Sequence, residues 1–170
     1  VNAQRARHDP LTGLLNRHGL EGVMKDLSRD RVFSLVCFDL DGFKPINDRF
    51  GHAAGDRLLC EVGERMRNAL EEGQVLARIG GDEFLALLPG QGAEATNARI
   101  EAVIAAVSDT PYAVDGKALV QIGVTAGFAC YPDDATGIAE RQGAFQARLV
   151  PDNPELEPTD GVLSFSFRVL

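Results

Sequence analysis

Two strand-length apolar runs with a glycine pair between them leave the middle of this chain few ways to fold. The runs are Val75-Leu-Ala-Arg-Ile79 and Phe84-Leu-Ala-Leu-Leu88, and Gly80-Gly81-Asp82-Glu83 separates them. Glycine reaches the positive-φ conformations that tight turns require and has no Cβ to block a close approach. The stretch therefore reads as a β-hairpin whose tip presents bare backbone and two carboxylates, Asp82 and Glu83. Taken alone, those four residues make a solvated turn. A metal-phosphate role needs further acids brought to the same place.

Size and charge narrow the classes. A chain of 170 residues fits one domain, and 45% hydrophobic with 25% charged residues is the composition of a globular protein. The formal net charge of −8 argues against a surface for a nucleic acid polymer, which would be basic. It allows a nucleotide handled through a cation, since a metal inverts the local charge logic. No apolar run approaches the roughly 18 residues that would signal a membrane span, so no membrane contact is expected of this segment. Cys37, Cys60 and Cys130 lie apart among apolar neighbours and read as buried free thiols, which points to a reducing, cytoplasmic setting. Val1 in place of Met suggests a piece of a longer protein, with residues 1–8 the end of a linker or signalling helix.

The order of elements is mixed. Asn16 can cap a helix with Leu20, Val23, Met24 and Leu27 on one face. Val32 to Leu40 reads as a buried strand, and residues 53–71 as a helix burying Leu58, Leu59, Val62, Met66 and Leu70. After the hairpin comes a helix over Ala93–Val107, a break at Pro111, and a strand over Leu119–Ala129. This pattern predicts an α+β fold, a sheet with helices packed on it.

A second constellation follows the first strand, from Phe38 to Asp56. Asp39 stands at the strand end, where a carboxylate is rigidly held. With an acid from the hairpin tip it could chelate a divalent ion such as Mg2+, which favours one or two carboxylates plus substrate phosphates. Lys44 offers a point charge to a phosphate tail. Asn47 has both a donor and an acceptor, and Asp56 can accept from two adjacent N–H groups, a combination suited to guanine. Asp41 and Asp48 read more simply as turn or capping residues, and Asp56 divides evenly between capping and recognition. His8, His18 and His52 read as structural.

Three segments together resemble one family: Asp9-Pro-Leu-Thr-Gly-Leu-Leu-Asn-Arg17, Phe38 to Asp56, and Gly80-Gly81-Asp82-Glu83-Phe84. They look like a GGDEF domain, the diguanylate cyclase family, in the family's order and spacing. Val124-Thr-Ala-Gly-Phe-Ala-Cys130 matches its late strand, and the domain is expected over residues 9–140. The resemblance implies a mainly antiparallel sheet flanked by helices, like the ferredoxin-type core of nucleotide cyclases and polymerase palms. It implies condensation of two GTP into cyclic di-GMP and two pyrophosphates, with Mg2+ or Mn2+, in a homodimer. By the same resemblance Asp39, the carbonyl of Leu40 and Asp82 bind metal. Asp82 also assists deprotonation of the attacking 3′-hydroxyl, and Glu83 supports the site. Asn47 and Asp56 read guanine, Lys44 with the backbone of Gly42 and Phe43 meets the β- and γ-phosphates, and Gly81 passes close to the nucleotide. An attached sensory or phosphodiesterase domain is also implied.

Two departures stand out. The family's product-inhibition motif, Arg-x-x-Asp, falls on Glu71 and Gln74, so no tight inhibition is expected there. The family's last helix, with an Ala-Asp-x-Ala-Leu-Tyr-x-Ala-Lys pattern and phosphate-binding cations, does not appear. Residues 141–170 form an atypical segment, with a possible edge strand over 161–170 that alternates Leu163, Phe165, Phe167 and Val169 with other residues. Arg141 or Arg148 are the candidates to replace the missing cations.

Overall fold

The computed structural model describes residues 6–27, 32–116 and 118–131, together with the backbone of 144–148, 162–166 and 168–169. The expected linker residues 1–5 and Arg141 lie outside the described residues, and Arg148 is described in its backbone alone.

The first long apolar run forms β1 (Phe33–Asp41) and becomes the centre of the sheet. After it come β2 (Val75–Gly80), β3 (Glu83–Pro89), β4 (Tyr112–Val114), β5 (Ala118–Val120), β6 (Gly123–Tyr131), β7 (Ala144–Arg148), β8 (Val162–Ser166) and β9 (Arg168–Val169). The main sheet has the order β2-β3-β1-β6-β9, and its neighbouring strands pair antiparallel. β4 with β5, and β7 with β8, form two separate ribbons. The C-terminal stretch 161–170 is thus divided: Val162–Ser166 pairs with β7, while Arg168 and Val169 lie beside Phe128 and Gly127 at the edge of β6.

The helices are α1 (Arg17–Lys25), α2 (Phe43–Phe50), α3 (His52–Ala69) and α4 (Ala93–Ser108). Asn16 caps α1 as its sequence predicts, accepting from the Gly19 N–H at 2.8 Å. Alternate residues of a strand face opposite sides, and this period sorts the core. Val36, Phe38 and Leu40 of β1 join Phe84, Ala86 and Leu88 of β3 in a cluster with Leu58, Val62 and Met66 of α3 and Ile100 and Val103 of α4. On the opposite face Phe33, Leu35, Leu85, Leu87 and Ala129 pack with Leu20 and Met24 of α1. The result is an α+β fold, an antiparallel sheet flanked by helices.

Three local features depart from the sequence reading. α2 begins straight after β1 and was not visible in the pattern, because Pro45, Asn47 and Asp48 are poor helix formers. Pro45 sits in the first turn, where a missing N–H costs no helical bond. Gly51, at φ +90, then breaks α2 from α3. The strand expected over Leu119–Ala129 is interrupted at Gln121 and Ile122, and its first part belongs to the β4–β5 hairpin. Finally, the cysteines are free thiols, but only Cys130 is buried, Cys37 and Cys60 being partly exposed.

Candidate functional site

The hairpin forms with its tip one residue later than the glycine pair suggests. Gly80 pairs with Glu83, so Gly81 and Asp82 make the two-residue turn and Glu83 already belongs to β3. Gly81 has φ +49, and a Cβ built on it meets no protein atom within 4 Å. Backbone shape, then, is what the protein itself asks of this glycine.

Strand register brings the acids together. Asp39 of β1 stands opposite Glu83 of β3, and the Leu40 N–H donates to the Asp82 carbonyl at 3.2 Å. Asp39, Leu40, Asp82 and Glu83, scattered over the sequence, thus share one end of the sheet. The Asp39 carboxyl is held above the ordinary carboxylate range, first by desolvation and then by the charges of Asp82, Glu83 and Asp41. Beside them the Cys37 thiol donates to Glu83 Oε1 at 3.6 Å. Burial, then Glu83 and Asp39, push that thiol up to about 12, so it stays protonated as a donor. Asp41 accepts from the Thr125 hydroxyl, with both oxygens at 2.9 Å, which makes it a cross-strand partner rather than a turn residue.

Among the described residues, no three His, Cys, Asp or Glu side chains are gathered into a ready metal cage. The donor set nonetheless fits a hard cation that takes one or two carboxylates and completes its shell with phosphate and water. The crowding of acids that raises the proton affinity of Asp39 is what such a cation would relieve.

The second group lies just beyond β1. Gly42, at φ +82, stands at the N-cap of α2 without a side-chain bond, so the first N–H groups of that helix are left to backbone geometry alone. Such an end favours anions. Phe43 and the exposed Lys44 occupy its first turn. Asn47 lies further along α2, with its Nδ2 2.9 Å from His52 Nδ1. Asp56 is exposed inside α3, beyond the Gly51 N-cap, which removes the capping alternative for it. Asp48 is an exposed residue of α2.

Arg78 braces the turn, a role that its place in a strand run does not signal. Its Nε donates to the Gly81 carbonyl at 2.9 Å and a terminal nitrogen donates to Asp9 Oδ1 at 3.0 Å. Asp9 also accepts from the Thr12 N–H and hydroxyl at 2.9 and 2.7 Å. Burial opposes ionisation of Asp9, but the Thr12 bonds and Arg78 outweigh it and hold the carboxyl below its ordinary range. The Asp9–Arg17 segment is therefore part of the support of the hairpin tip. At the positions of the absent inhibition motif, Glu71 pairs with Arg99 of α4, and Gln74 Oε1 accepts from the Glu71 N–H at 2.8 Å.

Residues 6–145 match the family model described as diguanylate cyclase, GGDEF domain. The chain belongs to the GGDEF domain family. It is 41% identical over 138 residues to diguanylate cyclase TpbB of Pseudomonas aeruginosa, a match covering 78% of this chain and 32% of that protein. It is 38% identical over 136 residues to the bifunctional diguanylate cyclase/cyclic di-GMP phosphodiesterase MucR of the same species, covering 77% of this chain and 20% of MucR. The chain thus spans about a third or less of the length of these relatives. The solved GGDEF domain of TpbB superposes with a TM-score of 0.69 at 38% identity, covering 75% of this chain and 77% of that one. The GGDEF signature is the β2–β3 turn described above, and the antiparallel sheet agrees with these relatives.

Proposed function

We propose that this GGDEF domain condenses two molecules of GTP into cyclic di-GMP with release of two pyrophosphates. The observation that carries the reading is the register of β1 against β3, which sets Asp39 opposite Glu83 and ties Leu40 to Asp82 beside the open end of α2. Asp39, Asp82 and the Leu40 carbonyl would hold Mg2+ or Mn2+, with Glu83 in support. When bound, the cation supplies positive charge against the triphosphate and the charge developing at the α-phosphorus.

The chain's own residues do the rest. Asn47 and Asp56 hold the guanine. Lys44 and the N–H groups at Gly42 and Phe43 hold the β- and γ-phosphates, which leave as pyrophosphate. Asp82 accepts the proton of the attacking 3′-hydroxyl. That oxygen forms a bond to the α-phosphorus of the second GTP as the α–β phosphoanhydride bond breaks, and the same exchange closes the ring. One domain holds one GTP, so two copies must face each other in a homodimer, where alignment of the reactants contributes much of the rate. The unbridged cysteines suit a cytoplasmic location.

The test is incubation with GTP and Mg2+ and chromatographic detection of cyclic di-GMP. Wild-type protein should give product at a rate quadratic in enzyme at low concentration. Asp82→Ala should lower that rate by about 100-fold or more. Absence of product from an enforced dimer would refute the reading.

A second reading is a GTP-binding regulatory module of a larger cyclic di-GMP signalling protein. One feature favours it: the sequence after Tyr131 lacks the cation-bearing helix pattern of the family. The relative MucR, in which cyclase and phosphodiesterase are joined, gives it a precedent. Saturable GTP binding without turnover would select it.

A further inference from the structure

We infer that His52 and Gly55 are positioning residues that lock the orientation of the Asn47 carboxamide, and that this lock sets the preference for guanine over adenine. The inference rests on the reading of Asn47 as a base-recognition residue.

The lock has two sides, both built on α3. On one side Asn47 Nδ2 lies 2.9 Å from His52 Nδ1. A carboxamide nitrogen can only donate, so Nδ1 must accept and the neutral ring must carry its proton on Nε2. On the other side a Cβ at Gly55 would lie 2.3 Å from Asn47 Oδ1, 3.1 Å from its Cγ and 3.3 Å from the Phe43 ring. The Asn47 oxygen thus occupies the space that any side chain at position 55 would need. Gly51, at φ +90, makes the reversal that brings the start of α3 against α2.

A free carboxamide is nearly indifferent to a half-turn about its last bond, which exchanges donor and acceptor. Guanine presents the O6 acceptor where adenine presents the N6 donor, so a freely turning amide can satisfy either base. An amide seated in the space that Gly55 leaves open, with its nitrogen claimed by His52, keeps one arrangement. It meets the base with one N–H and its carbonyl, and the wrong purine leaves a polar group unpaired. Specificity here comes from denying the amide its alternative rotamer.

The experiment measures affinity for GTP and ATP in the presence of Mg2+ by calorimetry, with thermal melts to confirm folding. His52→Ala should lower the GTP/ATP preference by about three- to tenfold, the worth of one hydrogen bond. His52→Asn places an oxygen where Nδ1 stands and should restore the preference. Gly55→Ala should lose it, because the added methyl would displace the Asn47 amide, and the melt checks that the variant stays folded. Under turnover the His52→Ala loss should fall on KM rather than kcat. Asn47→Ala separates the two levels of the argument. If it collapses the preference while His52→Ala and Gly55→Ala keep it within about twofold, the lock is overturned and the role of Asn47 stands. If Asn47→Ala leaves the preference intact, the base-recognition reading falls and the lock with it.

Discussion

At one end of β1, Phe33 is 1% exposed and stacks on Tyr131 with ring centroids 4.9 Å apart. Next to it the buried Ser34 hydroxyl accepts from Thr96 at 2.6 Å and donates to the Gln91 carbonyl at 2.9 Å. At the other end of the same strand Asp39 and Asp41 are exposed beside Asp82 and Glu83. One end has its buried hydroxyls matched and its rings stacked, whereas the other gathers like charges. The two are inseparable, because the period of a strand is two and a slip of one residue would turn both the rings and Asp39 to the wrong face. The packed end holds the register that the charged end needs and would not choose by itself.

Breaking the packed end should have the largest effect on stability. Phe33→Ala should cost about 3–5 kcal/mol in a denaturant titration, with activity per folded molecule little changed. The Arg78 brace comes next. Arg78→Ala should cost about 1.5–3 kcal/mol, since two charge-assisted bonds are lost and Asp9 is left largely buried. Arg78→Lys should recover only part of it, because an ammonium lacks the fork that reaches both Asp9 and Gly81. The lowered Asp9 carboxyl means that its contribution is present above the ordinary carboxylate range and is lost as pH falls through its lowered value. The difference between wild type and Arg78→Ala should therefore shrink in strong acid.

The smallest effect has the opposite sign. The folded-state value of Asp39 is raised, so the folded protein binds the extra proton and stability falls as pH rises through that value. Asp39→Asn should then raise the melting temperature of the metal-free protein at pH 7 by on the order of a degree or two. The gain should vanish in acid, and cyclase activity should be lost at every pH. A fall in melting temperature at pH 7 would show that the acids are not in conflict.

Much of this molecule could be read from local pattern. The hairpin, the Asn16 cap and the helices α1, α3 and α4 are short-range signals and all appear, with the hairpin tip one residue late and Leu27 and Leu70 falling just beyond the ends of α1 and α3. The acids at positions 39, 82 and 83 were legible as candidates, through the family resemblance and their place at strand ends. Their convergence depends on pairing between distant strands, which periodicity does not encode. Arg78 was missed for the same reason, since its partner Asp9 is remote in sequence. Two other features carry a local signal. Asp115-Gly116, both at positive φ, is a common turn dipeptide and marks the β4–β5 hairpin. A glycine inside a strong helix, as at Gly55, is a standing question about what comes close to it.

α3 contains a second such position. A Cβ at Gly63 would meet the Leu14 side chain at 3.1 Å and the Phe84 ring at 3.6 Å. Two glycines inside one helix weaken its intrinsic propensity by about 0.8–1.0 kcal/mol each relative to alanine. Cut out as a peptide, Gly51 to Leu70 should be only partly helical in water despite its alanines, leucines and arginines, because most of a protein helix's stability comes from tertiary packing of its apolar face. Its helicity is on loan from the sheet. During folding, the segment carrying His52 and Asp56 should therefore gain protection from hydrogen exchange only after β1 and β3 have paired, which places assembly of the base-binding end late in the sequence of events.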